Sequence, residues 1–172
     1  MTGRKTVASV FLDSSAFIPL IDCDNKWHDR VLQHIKDRDA FVSIDTVVLS
    51  EYLVGVADSS LAEETALKFA RQFRIHSFDA RTALVCAELF KVLKAKGQIP
   101  KKPTDRQLKK VDVMILASAI VAGVDEFIFE DRYFANTPAF LPDPICGFKL
   151  PAFVRLSTLP PVAVQTELGM TP

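Results

Sequence analysis

The chain has 172 residues, 49% of them hydrophobic, which fits one domain with a single core. Its 21 basic and 21 acidic residues cancel. This balance excludes a nucleic-acid-binding protein whose whole surface is basic. Any surface that binds nucleic acid therefore has to be a local basic patch. Cys23, Cys86 and Cys146 form no Cys-x-x-Cys pair, which argues against a disulfide framework or a structural zinc site. No apolar run approaches the roughly 20 residues of a membrane span. We therefore expect a soluble, cytoplasmic protein without a signal peptide.

Strand-like and helix-like segments alternate along the chain. Apolar runs rich in β-branched and aromatic residues predict strands over residues 8–13, 40–45, 74–78, 126–130 and 153–156. Helical spacing of apolar residues predicts helices over residues 14–18, 26–38, 47–56, 60–73, 80–96 and 111–122. Such alternation favours right-handed crossovers and a mainly parallel sheet with helices on both faces. The predicted fold class is therefore α/β.

Local signals refine several boundaries. Asp45 or Thr46 can cap the third helix, and a capping box at Ser60 predicts the start of the fourth. A second possible capping box begins at Thr104, inside the markedly basic segment 97–110. We expect that segment to be mainly a solvated loop, part of which is helical. The cations of this segment are Lys101, Lys102, Arg106, Lys109 and Lys110.

Four acids stand at the edges of apolar segments: Asp13, Glu51, Asp112 and Asp131. The carboxyl ends of parallel strands meet at one edge of a sheet, so Asp13 and Asp131 are expected there. Glu51 and Asp112 lie near predicted helix starts at the same edge. Like charges about 4 Å apart repel by roughly 4 kcal/mol at the effective dielectric of a protein surface. If the acids converge, protons or a cation must stabilise them, and carboxylates favour Mg²⁺ or Mn²⁺.

Each of these residues also has a structural interpretation. Asp13 and Asp131 can cap the turns that follow strands, Glu51 suits the first turn of a helix, and Asp112 can cap an apolar helix. The histidines, His28, His34 and His76, lack ligand spacing and are predicted at the surface or its boundary. Three aromatic residues, Phe127, Phe129 and Phe134, are expected in the core rather than on a base-stacking platform.

Four segments together resemble the PIN-domain nucleases, including the toxin halves of VapBC-type toxin–antitoxin pairs. They occur in the family's order: Phe11–Ile18 (FLDSSAFI), Ser50–Gly55 (SEYLVG), Lys110–Ile120 (KVDVMILASAI) and Phe129–Phe134 (FEDRYF). The resemblance implies a three-layer α/β/α sandwich that cleaves RNA with Mg²⁺ or Mn²⁺. We expect a PIN-like domain over residues 1–157 and a loosely ordered tail over residues 158–172.

The resemblance also implies roles for single residues. Asp13 would be the central metal ligand, Asp112 and Asp131 further ligands, and Glu51 a ligand or a neighbouring acid. The Ser15 hydroxyl would support the metal site, with Glu130 as an additional acid beside it. The substrate would be RNA, with an antitoxin protein as a possible partner and a homodimer as the assembly. Near such a site, the five cations of segment 97–110 become candidates for phosphate contacts.

One position departs from the family pattern. The family commonly has Thr or Ser two residues before its last acid, where this chain has Phe129. A missing hydroxyl removes a hydrogen bond that would support the metal ligands. An alternative function is therefore a weakly active or inactive module that binds RNA or a partner. An aspartyl-phosphatase is a weaker alternative, because its second Asp would stand where this chain has Ser15.

Overall fold

The structure is a computed structural model that describes residues 8–162. In this part of the chain, five parallel strands form one sheet in the order β3-β2-β1-β4-β5. The strands are β1 (Ser9–Leu12), β2 (Phe41–Asp45), β3 (Arg74–His76), β4 (Glu126–Phe129) and β5 (Ala152–Arg155). The predicted tail falls mostly on residues 163–172, which lie outside the described residues.

Helices connect the strands and cover the sheet in a three-layer α/β/α arrangement. They are α1 (Ser14–Ile21), α2 (His28–Arg38), α3 (Thr46–Val54), α4 (Ser59–Gln72), α5 (Ala80–Ala95), α6 (Pro103–Ala122) and α7 (Arg132–Ala135). Short 3₁₀ turns occupy Thr137–Phe140 and Leu156–Thr158. The α/β fold class predicted from the alternating pattern is confirmed. None of the described helices is both long and apolar enough to cross a membrane.

The strand order reverses at β1. After β1, the chain adds β2 and then β3 on one side of β1. It later adds β4 and then β5 on the other side. Ligand sites of open α/β sheets lie beyond the carboxyl ends of the two strands that flank such a reversal. Asp13 directly follows β1, and Asp131 lies two residues after β4. The topology therefore places these two acids at the same crevice.

The core lies on both sides of the central strands. Val10, Phe11 and Leu12 of β1 are fully buried, as expected for a strand covered on both faces. Phe127, Phe129 and Phe134 are also buried and pack as an aromatic cluster with ring centroids 5.1 to 5.9 Å apart. Their prediction as core residues is confirmed. One stacked contact and two edge-on contacts between these rings add to the stabilisation from buried apolar area.

The starts of helices α4 and α6 correct the sequence prediction. Helix α4 begins one residue earlier than Ser60, because Asp58 is the N-cap and its carboxylate accepts from the Leu61 amide at 3.0 Å. Helix α6 begins at Pro103 rather than near Val111, and Thr104 is not its cap. Proline suits the first helical turn, where its missing N–H costs nothing. Much of the basic segment is therefore helix, and Asp112 lies in the middle of α6.

His34 corrects a further prediction. It is 7% exposed rather than at the surface, and its Nε2 lies 2.7 Å from Oε2 of Glu126. Arg38 contacts the same carboxylate, with its Nε 3.0 Å from Oε1. The polar ring is buried because α2 packs over the start of β4, where Glu126 supplies a partner.

Candidate active site

Asp13 is the most enclosed of the four acids, with 4% of its surface exposed. Its carboxylate caps α1 by accepting from the Ala16 amide at 3.0 Å, and the Ser15 hydroxyl donates to Oδ1 at 2.8 Å. The pKa of Asp13 is raised to about 8, mainly by burial and to a smaller extent by the charges of Asp112 and Asp131, while the two hydrogen bonds lower it. Asp13 thus caps a helix and is also repelled, when charged, by its acidic neighbours.

Asp112 approaches the same place from α6. Its pKa is raised to about 6, mainly by burial; Asp131 and Glu51 add to the rise and Lys109 opposes it. Lys109 lies one helical turn earlier on the same face, with Nζ 3.8 Å from Oδ2 of Asp112. Asp112 and Asp131 act on the pKa of Asp13, and Asp131 and Glu51 act on that of Asp112, so the four acids that the sequence singled out are electrostatic neighbours.

Glu51 and Asp131 form the more open part of the group. Glu51 lies in the second half of α3 and is exposed, and its Oε2 accepts a hydrogen bond from the Ser14 hydroxyl. Asp131 is partly exposed, and its backbone carbonyl accepts from the Phe134 amide at 3.2 Å as α7 begins. Glu51 is thus not the first-turn acid that its structural interpretation required.

A cavity of about 160 Å³ opens between these acids. Its walls are Glu51, Pro100, Asp105, Leu108, Lys109, Val111, Asp112 and Asp131. A water molecule takes about 30 Å³ in the liquid, so the space suits a hydrated ion or a phosphate group. Asp13 does not line this cavity, because its side chain is folded back onto the start of α1. Three of the four acids therefore face accessible space.

The donor chemistry fits a hard divalent cation. Carboxylate oxygens are the ligands that Mg²⁺ and Mn²⁺ prefer, and burial together with neighbouring acids raises the pKa values of Asp13 and Asp112. Among residues 8–162, however, no three His, Cys, Asp or Glu side chains are arranged around a common metal position. Three of the acids already have partners in the protein: Asp13 accepts from Ser15, Glu51 accepts from Ser14, and Asp112 lies beside Lys109. Joint coordination would require carboxylates to turn away from these partners.

Ser15 links the two strand ends. Its hydroxyl oxygen accepts from the Glu130 amide at 2.8 Å while the hydroxyl donates to Asp13. The Glu130 carboxylate points elsewhere: Oε2 accepts from the Ser157 amide at 2.8 Å, and Oε1 lies 3.3 Å from Arg155. Ser15 thus stands where a supporting hydroxyl was expected, whereas Glu130 contributes its backbone and uses its carboxylate to hold the end of β5.

The five predicted substrate cations are distributed unevenly. Lys101, Lys102, Arg106 and Lys110 are exposed, but Lys109 is only 4% exposed and lines the acidic cavity. Lys102 lies 4.0 Å from Asp105 at the cavity rim, and the Arg106 guanidinium donates to the Lys101 carbonyl at 3.0 Å. Lys110 faces a separate apolar groove between α5 and α6. Lys101 and Arg106 line a neighbouring pocket that shares Pro100 with the acidic cavity.

The sequence did not reveal two features of the site, namely Ser14 as a partner of Glu51 and Lys109 as a buried cation among the acids. The spacing of Lys109 and Asp112, three residues apart, was a usable signal once both were placed on one helix. That signal was hidden because the helix was predicted to begin after Lys109. Ser14 gave no local signal, since its partner lies 37 residues away.

The PIN domain family model matches residues 10–139. No curated protein matches the sequence. Among solved structures, VapBC2 from Rickettsia felis bound to a promoter DNA fragment superimposes with a TM-score of 0.58 at 16% identity, covering 86% of this chain and 98% of that one. FitAcB from Neisseria gonorrhoeae gives a TM-score of 0.57 at 15% identity, with 87% and 99% covered.

A third similar structure is VapC20 from Mycobacterium tuberculosis, described as a toxin that cleaves the sarcin-ricin loop. Its TM-score is 0.52 at 15% identity, and the match covers 81% of this chain and 95% of that one. At these identities the likeness concerns the fold. The family match spans the segments that carry all four acids.

Proposed function

Because this chain belongs to the PIN domain family, we propose that it is an endoribonuclease that hydrolyses RNA phosphodiester bonds with Mg²⁺ or Mn²⁺. The observation that carries the proposal is the group of four acids at the reversal of strand order, where three of them line an accessible cavity. Carboxylates that lie close together repel one another and so reduce the stability of the fold. Acids with shifted pKa values in a cleft are typical of functional sites. RNA as the substrate is supported by the structural likeness to a toxin that cleaves the sarcin-ricin loop.

Asp13, Asp112 and Asp131, with Glu51 beside them, would hold the cation. When bound, the cation would supply positive charge for the phosphate and make a bound water more acidic. Ser15 orients the Asp13 carboxylate by donating its one hydroxyl hydrogen, which lies between Oδ1 at 2.8 Å and Oδ2 at 3.0 Å from the Ser15 oxygen. With its pKa raised to about 8, Asp13 would be mainly protonated at neutral pH without metal and would release that proton when the ion binds. Glu51, the most exposed of the four acids, is the group that would accept a proton from the attacking water.

We further propose that the protein is the toxin of a toxin–antitoxin pair and acts as a homodimer in the cytoplasm. Structures of VapBC assemblies among its structural neighbours support an antitoxin partner. Exposed apolar side chains on α1, α3 and α4, namely Ile18, Val54, Leu61 and Leu67, offer surface for partner contacts. Free thiols at Cys23, Cys86 and Cys146 suit a reducing compartment. Co-expression with the product of an adjacent small reading frame would test the pair: a complex that no longer cleaves RNA is expected.

The nuclease proposal is tested with the full chain, stripped of metal by EDTA and supplied with Mn²⁺ or Mg²⁺ and end-labelled RNA. Asp13→Asn and Asp112→Asn should each lower the cleavage rate by at least about 100-fold, because each removes a charged ligand. Asp37→Asn, an exposed acid of α2, is the matched control and should cleave like the unaltered protein. Cleavage that persists in EDTA, or in either acid variant, contradicts the proposal.

A second candidate function is a PIN-fold module that binds RNA or a partner without cutting. Phe129 favours it, because a buried aromatic ring replaces the hydroxyl that the family places there. The same assay separates the candidates. A non-catalytic module would bind labelled RNA with no cleavage at any Mn²⁺ concentration, and Asp112→Asn would not weaken that binding.

A further inference from the structure

Lys109 is a buried cation inside the acidic group. Only 4% of its surface is exposed, its Nζ lies 3.8 Å from Oδ2 of Asp112, and it attracts Asp131 as well. The ammonium also lies 5.0 Å from the centroid of the Phe134 ring. Its neighbours in the sequence differ, since Leu108 and Lys110 are both exposed. The fold therefore turns this one lysine of the basic segment toward the acids.

Burying an ammonium group reduces the stability of the folded protein unless a negative charge lies beside it. A lone ammonium removed from water is strongly disfavoured, and proteins bury lysine almost always beside an acid. Here the compensation is mutual, because the same ammonium offsets the repulsion among carboxylates that lie close together. The aromatic face of Phe134 adds a weaker attraction for the cation. Lys109 and the acids thus stabilise one another when no other cation is bound.

We propose that Lys109 is a built-in counter-cation of the acid group, which competes with a divalent cation for Asp112 and Asp131 and thereby sets the metal affinity of the site. The inference rests on the proposed function in one respect, that these acids bind the ion. A divalent cation on Asp112 would lie within a few ångströms of Nζ, where the two positive charges repel. Binding must therefore either displace the ammonium toward the Phe134 ring or accept that repulsion.

The test is calorimetric titration of metal-free protein with Mn²⁺, without RNA. Lys109→Met keeps the length of the side chain and removes its charge, so it should lower the Kd for Mn²⁺ at least about tenfold. Lys109→Arg keeps the charge and should remain within about threefold of the unaltered protein. Lys110→Met removes an exposed charge one residue away and is the matched control, with a Kd within about twofold.

Thermal unfolding gives a second readout that also covers a poorly folded variant. Without the lysine, the acids lose their internal cation, so Mn²⁺ should raise the Tm of Lys109→Met more than that of the unaltered protein. Lys109→Gln, which remains polar, should show the same larger shift if Lys109→Met cannot be purified. An equal or smaller shift in these variants overturns the inference.

The outcomes distinguish the two proposals. If the unaltered protein binds no Mn²⁺, the metal-dependent function fails and the inference fails with it. If the unaltered protein binds Mn²⁺ and Lys109→Met binds it equally or more weakly, only the inference fails. Weaker RNA binding by Lys109→Met at an unchanged Mn²⁺ affinity would instead identify Lys109 as a phosphate contact, which also overturns the inference.

Discussion

Asp13 serves the fold and the candidate site through the same carboxyl group. Its amide donates to the Ile128 carbonyl at 3.1 Å, its carboxylate caps α1, and its charge interacts with Asp112 and Asp131. The capping interpretation and the ligand interpretation are therefore compatible for this residue. These contacts hold Asp13 in place, which suits a central ligand around which the neighbouring acids adjust.

The raised pKa of Asp13 predicts how stability depends on pH in the absence of metal. Between its usual value of 3.8 and about 8, the folded protein holds a proton that the unfolded chain releases. The free energy of unfolding should therefore fall as the pH rises through this range, by at most about 1.4 kcal/mol per pH unit for one proton. Urea unfolding in EDTA at pH 5, 6, 7 and 8 measures this slope.

Asp13→Asn is the control for that experiment, because it cannot titrate. Relative to this variant, the unaltered protein should lose stability steadily from pH 5 to pH 8. Asp112, whose pKa is about 6, titrates in both proteins and adds a similar slope to each at the lower end. A stability difference that stays constant over the range would show that Asp13 ionises normally.

At the scale of the elements, helix α6 decides the composition of the site. One face of this helix carries Asp105, Leu108, Lys109 and Asp112, all of which line the cavity. Residues three and four apart share a helix face, so extending the helix back to Pro103 is what aligns the basic segment with Asp112. A helix that began near Val111 would have left Lys109 in a solvated loop.

The start of α4 offers an element-scale prediction. Asp58→Ala should lower the free energy of unfolding by about 1 kcal/mol, because the Leu61 amide loses its acceptor at the helix start. Ser60→Ala should change it by less than about 0.5 kcal/mol, since Ser60 lies inside the helix and alanine is a better helix former. Chemical denaturation of both variants measures the difference. The reverse order would restore Ser60 as the cap.

For the whole molecule, the charge balance determines how RNA binding should respond to salt. With 21 positive and 21 negative side chains, no overall attraction exists, and binding depends on local cations. Three exposed cations adjoin the acidic cavity: Lys102 lies 4.0 Å from Asp105 of its wall, and Lys101 and Arg106 line a pocket that shares Pro100 with it. Each phosphate contact with a single strand contributes about 0.7 to the slope of log affinity against log salt.

Removing these three cations should reduce that slope by about 2 and weaken binding at low salt. The measurement is fluorescence anisotropy of labelled RNA in the Asp13→Asn background, where cleavage does not interfere. Alanine at Lys36, Lys68 and Lys91 removes the same charge from exposed positions of α2, α4 and α5 and should leave the slope nearly unchanged. Equal slopes in both triple variants would place the RNA surface elsewhere.

The sequence by itself determined the α/β architecture and singled out the four acids. Both follow from local physics: apolar runs and helical spacing mark the elements, and a charge at the edge of an apolar run is conspicuous in one dimension. The tertiary structure decided which side chains act together. It turned Lys109 toward Asp112, directed the Glu130 carboxylate to β5, and joined Ser15 to the Glu130 amide across 115 residues. Those contacts depend on strand order and helix packing, which bring together residues distant in the chain.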